Sequence, residues 1–221
     1  MANLKDYRDK ELRYYLIANI GILLLLLDFF QLSHSESNMK TLEIISNVLN
    51  LSILSSTIYV LTFIADSIFS SKLKDFLIFN RIPGSKIFSK IQEGNYDIRI
   101  LKEDALRIYI NIYNSLPEKK KERYNYENAE WYKIYNKYRE VPMIFSSNRD
   151  ALLCRDIYFS TIMIIIIYLT LTIAFEIITF DYRYIIYLIT MLLISNIGTR
   201  IKRARFVSNV IVHDIANNKG E

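Results

Sequence analysis

Four long apolar runs, set in two pairs with a polar block between them, constrain this chain more than any other feature of it. A bilayer core of about 30 Å is crossed by roughly 20 apolar residues in a helix, because a helix bonds all of its own backbone polar groups. The first run, 14–32, is interrupted only by Asp28 near its far end, and the second, 44–65, carries no charge and is followed by Asp66. The third, 157–175, is also uncharged, and the fourth, 184–199, is short of a full crossing unless Phe180 and Tyr182 extend it. The stretch IYFSTIMIIIIYLTLTIAF has no solvated face, which disfavours the core helix of a water-soluble domain. The expectation is an all-α membrane protein. Residues 1–69 hold an N-terminal segment and spans one and two, 70–156 a small helical insert, 157–199 spans three and four, and 200–221 a C-terminal helix.

Lys and Arg set the orientation. Lys5, Arg8, Lys10 and Arg13 precede span one, Lys72, Lys74 and Arg81 follow span two, and Arg200, Lys202, Arg203 and Arg205 follow span four. The two short loops hold Lys40 and Arg183 against Asp28, Glu36, Glu43, Glu176 and Asp181. Both termini and the insert therefore read as cytoplasmic. No small-residue cleavage site follows the first run, so it reads as a span and not as a signal peptide.

The residue inventory closes off several chemistries. One cysteine, Cys154, excludes an intramolecular disulfide and any CxxC pair, and two histidines with five glycines leave no HExxH and no Gly-rich phosphate loop. Asp28, Asp66, Glu176 and tyrosines are the groups available near the interfaces, and they form no nucleophile–base–orienter set. The expectation is a protein without cofactor, metal or enzymatic activity.

Span two raises a sharper question. Ser52, Ser55, Tyr59, Thr62 and Asp66 recur every three or four residues and share one helix face, with Ser46, Asn50 and Thr57 opposite. Hydroxyls inside lipid either bond neighbouring helices or the preceding turn, or they line water, and both readings stay open. A four-helix protomer is too small to enclose an aqueous pore, so a conduit lined by these five residues requires a homo-oligomer. Acidic outer loops would then form a cation-attracting mouth, with Asp66 as a carboxylate ring at the inner end.

In the insert, Pro83-Gly84 marks a turn, and helices are expected over 101–115, with Leu101, Leu106, Ile110 and Tyr113 on its apolar face, and over 126–140. Ser147 with Asp150 three residues on suggests an N-cap for a helix running into span three. Lys119, Lys120, Lys121, Arg123 and Tyr124, together with Trp131, Lys133 and Lys137, combine ammonium groups with aromatic faces, which suits a nucleotide or short single strand. The same lysines also suit a solvated loop or anionic headgroups, and the Trp-Tyr stripe also suits a core. After span four, Ile201, Val207, Val210, Ile211 and Ile215 spread over more than half of a helix, which calls for partners on two sides, as in an oligomeric cytoplasmic bundle. The adjacent His213-Asp214 reads as structural.

The layout of two spans, cytoplasmic insert and two spans resembles the four-transmembrane effector domains of bacterial nucleotide-signal-controlled antiphage defence systems. Trp131-Tyr132, Val141-Pro142 and SSNRDALLCRDIY (146–158) look like that family's elements leading into the third span. The resemblance implies a membrane-disrupting pore or ion channel in the bacterial inner membrane. It also implies gating by a nucleotide or oligonucleotide from an operon-encoded nucleotidyltransferase. A different class stays open beside it, a non-conducting membrane anchor or inhibitory subunit for a soluble partner.

Overall fold

The structure is a computed structural model. It describes residues 4–26, 83–94, 96–176 and 180–218 with scattered positions between 52 and 78, and in the first stretch it describes side chains from Lys10 to Leu23. The elements are α1 (Leu4–Leu26), α2 (Ile87–Gln92), α3 (Lys102–Ile108), α4 (Ile110–Asn114), α5 (Lys120–Tyr138), α6 (Pro142–Leu169) and α7 (Tyr182–Asn218). A π-helical turn, Thr170–Ala174, continues α6. No strand occurs among the described residues. Two helices, Pro142–Ala174 and Tyr182–Asn218, are long and apolar enough to cross a membrane. Much of the runs 14–32 and 44–65 lies outside the described residues.

The chain divides into two compact units. One takes Met1–Ile78 and Leu153–Ile197, and the other Phe79–Leu152 and Gly198–Glu221. The first, the apolar unit, buries Leu16, Ile20 and Leu23 of α1 with Ile164 and Tyr168 of α6 and Tyr184 and Leu188 of α7. On α1 these positions are spaced four and three apart, which brings them onto one face.

The second, the insert unit, is built around Trp131. Its side chain is 2 % exposed, its indole N–H donates to the Val207 carbonyl at 3.4 Å, and its ring stacks on Tyr135 and meets Phe206 edge-on at 5.4 Å. Ile87, Phe88 and Ile91 of α2, Ala105, Tyr109 and Ile134 pack around it, and α7 contributes Phe206, Val207, Val210, Ile211 and Ile215. Within one protomer the insert that precedes the tail in the chain thus covers Val207, Val210, Ile211 and Ile215, while Ile201 stays 56 % exposed.

Local chemistry moves several boundaries from their sequence-based positions. Pro142 opens α6, since a proline costs nothing at a helix's first position. Ser147 consequently lies inside the helix, donating to the Ile144 carbonyl at 3.0 Å. The helix expected over 101–115 divides at Tyr109, where ψ is 24°. Ala105 and Tyr109 are buried there, and Leu101 and Ile110 are exposed. The lysine cluster is helical, because α5 starts at Lys120 just beyond Pro117, with Glu122 favouring the positive end of the helix dipole. No proline interrupts 182–218, so the fourth apolar run and the tail form one helix.

Gly84 shows how tightly Trp131 is seated. Its φ is +76°, and a Cβ there would meet the indole at 2.8 Å. Gly84→Ala should lower stability by about 1–3 kcal/mol, from left-handed strain and displacement of the indole. Thermal denaturation of the detergent-solubilised protein followed by Trp131 fluorescence measures this, and an unshifted melt would place the indole away from the turn.

Candidate functional site

In the apolar unit, the inner face of α6 carries polar side chains. Asp156, Ser160, Thr161, Tyr168 and Thr172 are all buried, with Asp156, Ser160, Tyr168 and Thr172 at steps of about one or two helical turns. Thr161 Oγ1 donates to the Ile157 carbonyl at 2.7 Å, so the 2.6 Å contact between it and the Tyr15 hydroxyl is donated by the tyrosine, tying α1 to α6. Tyr184 of α7 donates to the Asn19 backbone carbonyl at 3.3 Å and meets Tyr168 edge-on at 5.0 Å. The Tyr168 hydroxyl in turn accepts from the Asp181 N–H at 2.7 Å. Asn19 is 1 % exposed, and its Nδ2 donates to the Tyr15 carbonyl at 2.8 Å. Toward the start of this stretch Arg155 pairs with Asp156 at 3.1 Å, both buried, and the buried Lys74 ammonium sits 5.1 Å from the Phe159 ring centre.

Of the span-two residues, Ser52 is exposed, and Tyr59 is half-buried with the Arg13 guanidinium 5.4 Å from its ring centre. Ser55, Thr62 and Asp66 lie outside the described residues. Thr57 donates to the Ile53 carbonyl at 2.8 Å, the local bond by which a hydroxyl satisfies itself within its own helix.

The eight insert residues singled out for a ligand do not converge. Trp131 is spent on the core and offers no face for stacking. Arg123 braces the turn before α5, bonding the carbonyls of Pro117 and Glu118 at 2.8 and 3.1 Å. Lys119 lies 3.4 Å from Glu122 and Lys133 2.6 Å from Glu130, while the Lys86 ammonium sits 5.2 Å from the Tyr124 ring centre. Lys120, Lys121 and Lys137 are exposed. At 1.5 Å per residue, Lys120 and Lys137 are about 25 Å apart along the helix, so any single small ligand reaches one end of the set.

Polar clasps hold the tail of α7 in the insert unit. Arg99 grips Asp97 with two nitrogens and reaches Asn209 Oδ1 at 3.0 Å, and Ser208 donates to the Tyr96 hydroxyl at 3.0 Å. The Arg99 fork holds the Asp97 carboxyl down at about 2, and burial pushes the Tyr96 phenol up to about 12. Tyr109 donates to Asp214 at 2.6 Å, and burial together with that carboxylate raises its phenol. Burial works against the Asp150 charge, but Lys202 at 2.9 Å and Arg149 at 3.0 Å outweigh it and lower the carboxyl. Glu127 is fully buried, takes both the hydroxyl and the N–H of Ser89, and is raised by its burial in spite of them.

Among the described residues no group of three His, Cys, Asp or Glu side chains is placed to hold a metal ion. No family model matches this chain, and no curated protein or solved structure matches it either. Sequence reasoning passed over Asn19, Tyr15 and Thr161. The available signal was an amide inside span one and, on span three, hydroxyls at Ser160, Thr161, Tyr168 and Thr172.

The buried carboxylate gives a pH test. With its folded pKa raised above the ordinary 4.5, Glu127 contributes stability that is complete below that value and is lost as pH rises through the folded pKa. Asp97 acts in the opposite sense, its contribution being lost as pH falls from 3.8 toward about 2. The two windows do not overlap. Glu127→Gln should therefore flatten the fall in melting temperature above pH 4.5 and leave the acid limb in place. Parallel wild-type and variant profiles across that range would contradict it.

Proposed function

We propose that this chain is a multi-pass membrane effector that assembles into a ligand-gated pore or ion channel, with its insert unit as the sensor. The observation that carries the reading is the continuity of α6 and α7. Each is an unbroken helix with an apolar stretch long enough for a bilayer and with residues in the insert core, Ile144 and Ala151 from α6 and Phe206 to Ile215 from α7. A ligand that repacks that core does so against both helices. The buried Thr161 and Tyr168 on the apolar stretch of α6, which bond groups of other elements, support a conducting role, since polar groups at membrane depth cost free energy that an inert anchor has no reason to bear. The layout's resemblance to defence effectors supports antiphage defence in the bacterial inner membrane, both termini cytoplasmic. The trigger would be a nucleotide or oligonucleotide made by an operon-encoded nucleotidyltransferase.

With Trp131 and Arg123 committed to structure, the anionic ligand falls to the amino-terminal end of α5, at Lys119, Lys120 and Lys121, with Lys86 over Tyr124 beside it. A second reading, a non-conducting anchor for a soluble protein, is favoured by the outer face of α5, where Tyr132 is 52 % exposed beside Lys133 and Asn136.

Liposomes carrying the purified protein should release ions when a panel of cyclic and linear adenylate and guanylate oligonucleotides is added. A set of proteoliposomes silent to every member of the panel, with the insert capturing a protein partner, would favour the anchor. Replacing Lys120 and Lys121 together with Glu should weaken the active oligonucleotide at least tenfold, about 1.4 kcal/mol or more, and reduce the salt dependence of its binding. Unaltered affinity would move the ligand off α5.

A further inference from the structure

We infer that the outer face of α7 binds an anionic phospholipid, its acyl chains along the cytoplasmic half of an isoleucine-rich stripe and its phosphate between Arg200 and Arg205. The inference rests on the membrane reading proposed above, with the end of α7 on the cytoplasmic side, and adds which lipid the protein selects. Ile186, Leu193, Ile194, Ile197 and Ile201 are each 56–60 % exposed. On a helical wheel they fall within about 100° of one another. Tyr184, Leu188, Ser195 and Thr199 occupy the opposite side and are all buried. The helix thus has one face turned into the protein and one turned out of it.

The side chains of the outer face argue for lipid as its occupant. Helices meet one another in a bilayer through small and hydroxyl-bearing residues, which let backbones approach and supply hydrogen bonds. On α7 Ser195 and Thr199 lie on the buried side, whereas the outer face carries branched aliphatic side chains and Thr190, whose hydroxyl is spent on the Ile186 carbonyl at 2.9 Å. From Tyr182, exposed at its edge, to Ile201 the stripe runs about 28 Å along the helix, close to the thickness of a bilayer's hydrocarbon core. Its ends match the two interfaces, a tyrosine at one and arginines at the other. Arg200 lies just beyond one edge of the stripe and Arg205 just beyond the other, both exposed, with the exposed Ala204 between them adding little bulk. The next position in line, Ser208, is buried and donates to Tyr96, so the stripe stops there. Two guanidinium groups flanking that end suit a headgroup of net negative charge, where a zwitterionic one would bring a cation of its own.

The test is native mass spectrometry of the detergent-solubilised full-length protein supplied with phosphatidylglycerol and phosphatidylcholine in equal amounts, reading the ratio of the two lipids bound. The wild type should favour phosphatidylglycerol, and Arg200→Gln with Arg205→Gln should lower that ratio roughly fivefold. Arg200→Lys with Arg205→Lys, which keeps both charges, should retain most of it, and so should Lys90→Gln with Lys102→Gln, which removes two exposed charges elsewhere. A wild type without preference, an unchanged ratio in the Gln pair, or an equal fall in the Lys90 and Lys102 variant overturns the inference. A second measurement asks what lies on the stripe. With Cys154→Ser and Ile197→Cys, oxidation in bilayers of the same two lipids should leave the protein monomeric on a denaturing gel, whereas a disulfide-linked dimer puts a second copy on the face and overturns the lipid site. Both readouts are independent of conduction, so proteoliposomes silent in the flux assay overturn the channel reading and leave this one standing. A full-length protein that stays in solution without detergent or bilayer overturns both.

Discussion

The insert unit depends on burying residues that arrive long after it in the chain. Phe206, Val207, Val210, Ile211 and Ile215 fill the space between Trp131, Ile134 and the short helix Ile87–Gln92, each contributing about 1.5–3 kcal/mol when it leaves water. Without them the insert's short helices have little to pack against, since a helix of five to seven residues is not stable alone. The polar clasps of Arg99 on Asn209 and Tyr109 on Asp214 fix the register of that segment. The tail is thus the central element of a core whose other members surround it.

In the apolar unit the governing constraint is satisfaction of polar groups. Thr170, Thr190 and Ser195 donate to carbonyls four residues back, which settles them within their own helices. Tyr15, Tyr168 and Tyr184 instead bond groups on other elements, and they decide how α1, α6 and α7 are matched. This separates hydroxyls that merely tolerate an apolar setting from those that organise it.

How much was legible in the sequence follows from the range of each interaction. The all-helical character and the third and fourth apolar runs were readable because they are local properties of composition and period, and α6 and α7 reproduce them. Trp131 was ambiguous: an aromatic stripe at helical spacing fits a ligand or a core, and the Val207 carbonyl that decides the matter lies 76 residues away. The start of α6 was misplaced because Ser147 and Asp150 mimic a cap, while Pro142 satisfies the same geometric requirement earlier. The basic helix looked like one site because residues close in sequence were counted together, although they lie along a rod. The contact of Tyr184 with the Asn19 carbonyl was not legible, because it joins residues 165 positions apart.

The late arrival of the tail has a consequence for biosynthesis. During translation the core of the insert unit stays open until Phe206 to Ile215 have been made, long after Ile87 to Ile134. A polypeptide cut short after Arg205 would lack the residues that close this core. Completion of α7 thus sets when the insert unit can close its core.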